Sequence, residues 1–188
     1  MADFTDLGNE LNKHRDVVLF PWTENQLAVN ARDGNSRQTT NQNWHAEIGG
    51  FYYQNGGMDV ELPPFDLSHV DGDIVIMGHG NYGDKIAKDS GYLHSARSLA
   101  KVLADNHLPL NFGNKIVLWS CFAGAPGGMA QSLAFKLSGR GYRTLSVWGC
   151  KWVTGNIANK TFLCVPNTSP TNVAGNPVPA TLADMVSY

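Results

Sequence analysis

Two residues of this chain combine reactive side chains with a position where they could be used: His79 and Cys121. A cysteine attacks as its thiolate, and a thiol near its free pKa of about 8.5 is mostly protonated at neutral pH, so a nucleophilic cysteine needs a neighbouring base or positive charge. His79 is the candidate base. Gly80, next to it, lets the backbone approach a substrate closely. The N–H groups of Gly80 and Cys121 together can point at a carbonyl oxygen under attack, and such an oxyanion hole contributes about 2.7–4 kcal/mol per donor. The small residues Ala123, Gly124 and Ala125 leave the thiol unobstructed.

Both residues close short apolar runs, Asp73-Ile74-Val75-Ile76-Met77-Gly78-His79-Gly80 and Lys115-Ile116-Val117-Leu118-Trp119-Ser120-Cys121. A continuous run of this length reads as a central strand of a parallel sheet covered on both faces. Parallel strands bring their carboxyl ends to one edge, where open α/β sheets bind ligands, so the two side chains are expected to meet there. A helix is predicted from about Leu93 to Asn106, because Ala96, Leu99, Ala100 and Leu103 share one face. Residues 73–119 therefore form a βαβ crossover, right-handed by strong precedent. A second helix is predicted over Met129–Leu137, ended by Gly139 and Gly141, with the next parallel strand at Thr144–Gly149. Two such units in succession give the α/β class.

The flanking regions carry weaker signals. Residues 1–15 read as a short amphipathic helix, Asp16–Phe20 as a strand stopped by Pro21, and Leu27–Val29 as a short strand. Asn55-Gly56 between two β-prone runs predicts a hairpin within Ile48–Leu62. Gly80–Gly91 reads as a glycine-rich loop, Thr161–Val165 as a strand, Pro166–Pro179 as a surface loop and Thr181–Val186 as a short helix.

At 188 residues the chain suits a single domain, 1–188, with a core that needs no metal or disulfide. Fourteen basic and 16 acidic residues leave a net charge of −2 with no long run of either sign, so neither nucleic acid nor an anionic membrane is an expected partner. The stretch Met1-Ala2-Asp3-Phe4-Thr5-Asp6 lacks the basic start and apolar core expected of a signal peptide, and no stretch approaches 18 apolar residues. The expected setting is cytoplasmic, or delivery into a target cell by a route that needs no classical signal. The three cysteines, with no CxxC, fit neither a disulfide scaffold nor a zinc ribbon; Cys150 and Cys164 read as small core residues. No cofactor is expected. Outside His79, the histidines His45, His69, His94 and His107 read as capping, turn or surface residues.

The order of the pair, with His79 forty-two residues before Cys121, is that of caspases, in which the histidine lies about 50 residues upstream. The strand ending in His79-Gly80, the helix near 93–106, the strand ending in Ser120-Cys121 with Gly124 close behind, and the helix and strand up to Gly149 resemble the caspase-like (clan CD) cysteine peptidases. The nearest likeness is to the cysteine protease domains of bacterial toxins and related effectors. The resemblance covers roughly residues 70–150 and leaves the N-terminal third and the C-terminal tail unassigned. It implies a three-layer αβα sandwich with a mostly parallel central sheet, a catalytic dyad of Cys121 and His79, and an oxyanion hole including Gly80. A protein or peptide would be the substrate, with the cleft lined by the loop Gly149-Cys150-Lys151-Trp152. The toxin domains bind inositol hexakisphosphate on a basic surface, and this chain has no comparable clustering of Lys and Arg.

Three other readings use the same residues. A caspase-like domain without turnover would be a binding module. A Cys-His pair also serves amidase or acyl-transfer chemistry. Finally, Gly78-His79-Gly80-Asn81-Tyr82-Gly83 formally fits the dinucleotide-binding G-x-G-x-x-G, although residues 84–91 make a weak helix and the expected acidic residue is missing.

Overall fold

The computed structural model describes residues 17–20, 49–54, 57–61, 67–80, 83–87, 93–158, 161–169, 171–172 and 174–188. Its strands are β1 (Val17–Phe20), β2 (Gly49–Gln54), β3 (Gly57–Glu61), β4 (Ile74–Met77), β5 (His79–Gly80), β6 (Lys85–Ala87), β7 (Leu93–Ser95), β8 (Lys115–Trp119), β9 (Ser146–Cys150), β10 (Val153–Ala158), β11 (Thr161–Val165), β12 (Val178–Pro179) and β13 (Met185–Ser187). Two helices lie among them, α1 (Ala96–Asp105) and α2 (Met129–Ser138). Neither is long and apolar enough to cross a membrane.

The class is α/β. One seven-stranded sheet runs β13-β9-β8-β4-β1-β2-β3. Strands β1, β4, β8 and β9 are parallel, while β2, β3 and β13 are added antiparallel at the two sides. The continuous apolar runs follow from burial on both faces. Ile74, Ile76, Ile116, Leu118 and Val147 enter one core with the helices, and the alternate residues Val75, Met77, Val117 and Trp119 are buried on the opposite face. The two central strands are also pinned at their start: the Lys115 N–H donates to the Asp73 carboxylate at 2.9 Å, and the Lys115 ammonium lies 3.7 Å from it. That start sets Ile74 opposite Ile116 and Met77 opposite Trp119.

Helix α1 buries Ala96, Leu99, Ala100, Val102 and Leu103, and α2 buries Met129, Ala130, Leu133 and Leu137. They pack on each other in that shared core, so both cover one face of the sheet. A buried leucine in such a core costs about 2–5 kcal/mol when cut to alanine. The second helical layer of the expected sandwich is not among the described residues.

The structure corrects several boundaries. Helix α1 begins at Ala96, not Leu93, because Leu93-His94-Ser95 pairs with β6 and the Ser95 hydroxyl accepts the Ser98 N–H at 3.2 Å as the N-cap. The predicted loop 80–91 contributes strands instead: β5, β6 and β7 make a small antiparallel sheet. The strand expected at 144–149 runs from Ser146 to Cys150. Where a helix was expected at 181–186, a 3₁₀ turn at Leu182–Asp184 leads into β13, because Met185-Val186-Ser187 finds the open edge of β9. A third small sheet, β10-β11-β12, holds the predicted strand Thr161–Val165. The hairpin strands flank Asn55-Gly56 as expected. The expected helix at 1–15, strand at 27–29, turn residues 55–56 and His45 lie outside the described residues.

Candidate active site

Cys121 lies two residues past the end of β8 and is half-buried. Its sulfur lies against Thr154 of β10, which donates its N–H at 3.4 Å, places its hydroxyl at 3.6 Å and offers its carbonyl oxygen at 3.9 Å. An N–H and a hydroxyl at this position are complementary to negative charge accumulating on sulfur, and the carbonyl can receive the S–H. On the same side of the sheet, the Trp119 indole donates to the carbonyl of Gly155 at 2.9 Å, so residues 119 and 121 both anchor to β10.

The chain turns sharply after the sulfur. The Ala123 N–H reaches back to the Ser120 carbonyl at 3.2 Å, and Phe122 takes a left-handed backbone with φ 58°. For a bulky residue that conformation costs of order 1–3 kcal/mol and needs its surroundings to hold it. Here the Phe122 ring is buried, its N–H donates to the Trp152 carbonyl at 3.0 Å, and the Gly124 N–H donates to the Cys150 carbonyl at 2.8 Å. Gly124 and Gly149 meet backbone to backbone. A Cβ on Gly124 would fall 2.1 Å from the Gly149 oxygen, so only glycine fits there.

His79 leaves the end of β4 as the first residue of β5, with its side chain exposed. Gly80 brings this segment against the cysteine: a Cβ on Gly80 would lie 2.0 Å from the Cys121 oxygen and 2.7 Å from its nitrogen. Gly80 and the Cys121 backbone are thus in direct contact, and the β4–β8 register, carried two residues past Met77 and Trp119, sets positions 79 and 121 side by side. The structure thereby gathers His79, Gly80 and Cys121 at the carboxyl edge of two neighbouring parallel strands.

The glycine pattern 78–83 does not open a helix. Gly80 lies in a strand, and the segment after Gly83 is β6, so the glycines present no helix N-terminus to a pyrophosphate. His94 is neither exposed nor a cap: it is buried in β7 with its Nδ1 2.8 Å from the Ser98 hydroxyl. His107 ends α1 in a left-handed conformation, φ 65°. The loop 149–152 brackets the Cys121 turn through the carbonyls of Cys150 and Trp152. It is braced in turn by Asp184, which accepts the Trp152 indole N–H at 2.8 Å and offers its carbonyl to the Lys151 N–H at 2.9 Å.

Thr154 and Phe122 are the site residues that sequence reasoning missed. Thr154 is 33 residues from the sulfur it touches, and nothing local marks it. Phe122 opens an expected turn of small residues, Phe122–Gly128, but its left-handed backbone has no local signal, since the contacts around it impose that conformation. No group of three or more His, Cys, Asp or Glu that could hold a metal ion occurs among the described residues. No curated protein matches the chain. Residues 63–153, which include His79, Gly80 and Cys121, are similar to the family described as a domain of unknown function (DUF8616).

Proposed function

We propose that this chain is a caspase-like cysteine endopeptidase working through Cys121 and His79. His79 takes the Cys121 thiol proton, the sulfur attacks a peptide carbonyl carbon as the C=O π electrons move onto oxygen, and the N–H groups of Gly80 and Cys121 receive the negative oxygen. As the C–N bond breaks, His79 passes a proton to the leaving amine, and a thioester remains on Cys121. Water, deprotonated by His79, then attacks the thioester and releases the acid. Thr154 holds the sulfur in place through its N–H and hydroxyl.

The observation that carries this reading is the backbone contact of Gly80 with Cys121, since it sets a histidine-bearing strand end against a cysteine-bearing one. The order of the pair and the surrounding strand and helix pattern add the caspase-like assignment. The test is to incubate the wild-type chain, Cys121→Ala and His79→Ala with peptides prepared from a whole proteome and to identify new ends by mass spectrometry. Cuts are expected with the wild type, none with Cys121→Ala, and with His79→Ala at a rate lower by about 10²–10⁴-fold. Cuts of equal yield with Cys121→Ala would reject the proposal.

A further inference from the structure

The net charge of −2 conceals a separation of the signs. Residues 96–146, which hold both helices, carry six basic side chains and a single acid, Asp105, while the rest of the chain carries eight basic and 15 acidic ones. Within this segment Lys101 is paired with Asp105, and Lys115 lies against Asp73. The other four cations, Arg97, Lys136, Arg140 and Arg143, are exposed, and none of them meets a carboxylate among the described residues. Summed over the chain, the charges give no reason to expect an anionic partner; the helical layer by itself does.

Three of these four cations gather at the end of α2 with two large apolar side chains that face solvent. Phe135 is 73% exposed and Leu110 63%. The fold places both. Phe135 occupies the last turn of α2, with the Lys136 ammonium 5.2 Å from its ring centre, and the Arg143 guanidinium donates to the Ser138 hydroxyl at 3.3 Å. Leu110 stands on the loop between α1 and β8, which is tied to the chain just past α2. The buried Tyr142 hydroxyl donates to the Leu108 carbonyl at 3.0 Å, and the Thr144 hydroxyl to the Phe112 carbonyl at 2.8 Å. Gly141, left-handed at φ 99°, lies against Leu110, since a Cβ there would be 3.7 Å from the leucine Cδ2.

Cations near a helix C-terminus complement its dipole, which accounts for Lys136 and the arginines but not for a phenylalanine and a leucine in solvent beside them. Single exposed apolar residues need no explanation; two held at one helix end among cations without a carboxylate do. Because Phe135 and Leu110 protrude, the partner must take them in. A bilayer does so without a preformed pocket: the acyl boundary receives the apolar tips while long basic side chains snorkel to the headgroups. Anionic lipid also matches a positive field spread over both helices, with Arg97 on α1.

We infer that the end of α2 docks this domain on an anionic lipid bilayer, with Phe135 and Leu110 entering the acyl boundary and Lys136, Arg140 and Arg143 holding the headgroups. The domain lies on the surface, and neither helix crosses it. The inference does not rest on peptidase activity, and its test reads none.

The full chain is mixed with extruded vesicles of phosphatidylcholine, either pure or with roughly a third phosphatidylserine, and bound protein is measured by co-flotation at low and high salt. Binding is expected to the mixed vesicles at low salt, weakened by added salt and absent with pure phosphatidylcholine. Lys136→Gln, Arg140→Gln and Arg143→Gln should each lower the partition coefficient by about fivefold, and together by about a hundredfold. Phe135→Ser and Leu110→Ser should each lower it by about tenfold. All five side chains are exposed, so each single variant is expected to melt like the wild type, and the single variants carry the test if the triple one does not fold. No binding to the mixed vesicles, or binding that every variant leaves unchanged, would overturn the inference. Loss with the glutamine variants but with neither serine variant would overturn the insertion of the apolar pair. Fluorescein-labelled polyglutamate bound as tightly as the mixed vesicles, with the same dependence on the five residues, would overturn the bilayer in favour of an acidic protein partner.

Discussion

Within one residue of Cys121 the chain carries two features that cost stability: the Ser120 hydroxyl is buried with no hydrogen-bond partner among the described residues, and Phe122 is left-handed. Around His79 the construction is the opposite. The buried His94 is paired with Ser98, Ser95 caps α1, and no non-glycine residue with a left-handed backbone occurs among the described residues 79–105. Local costs of this kind persist only where the surroundings over-determine the backbone, and they gather where function constrains it. The cysteine side is held by contacts from β10, the loop 149–152 and Gly80, whereas the histidine side is a short antiparallel sheet that meets the Cys121 backbone at Gly80. The difference points to the cysteine side as the part of the site built to an imposed geometry.

The largest expected effect lies at the seam between the two sides. Gly80→Ala puts a methyl group into the Cys121 carbonyl, a backbone atom that cannot swing away, so the loss should reach or exceed the ~3 kcal/mol seen for overpacking, read as a fall in the urea midpoint. Unchanged stability would mean that the two strand ends do not touch as described. A smaller loss, about 1–2 kcal/mol, is expected for Asp184→Ala, which removes the acceptor of the Thr181 N–H, the Thr181 hydroxyl and the Trp152 indole. Burial pushes the Asp184 carboxyl up, but those three donors and the Lys151 charge outweigh it and hold the group below its ordinary value. A depressed carboxylate stabilises the fold above its unfolded pKa of about 3.9, and that contribution fades as pH falls through the lower folded value. The gap between wild type and Asp184→Ala in thermal melts should therefore be full at neutral pH and narrow below about pH 4. The smallest effect has the opposite sign: Ser120→Ala should raise stability by up to about 1 kcal/mol, because it removes an unsatisfied buried hydroxyl. A clear loss would show that the hydroxyl has a partner and would weaken the contrast between the two sides.

The strands that carry the site were legible because burial on both faces leaves an unbroken apolar run, as at Ile74–Met77 and Lys115–Trp119. Helix α2 was legible to within one residue, since its buried stripe and the glycine after it are local signals. That positions 79 and 121 lie side by side was legible because neighbouring parallel strands share an edge. The strand character of Leu93-His94-Ser95 and of Met185-Val186-Ser187 was not legible, since each depends on a partner strand elsewhere in the chain. Thr154 was hidden for the same reason: its role exists only once β10 has been laid across the end of β8.

Strand β13 has a consequence for how copies of the molecule behave toward one another. It fills the outer side of β9, pairing Met185 with Cys150 and Ser187 with Trp148, and Tyr188 exchanges both backbone hydrogen bonds with Val147. A strand left without that cover offers a row of free N–H and C=O groups as a template for other chains. Peeling β13 away would thus exchange an edge strand of three residues for the five-residue edge of β9, and cleavage before Thr181 would be felt first as self-association along β9.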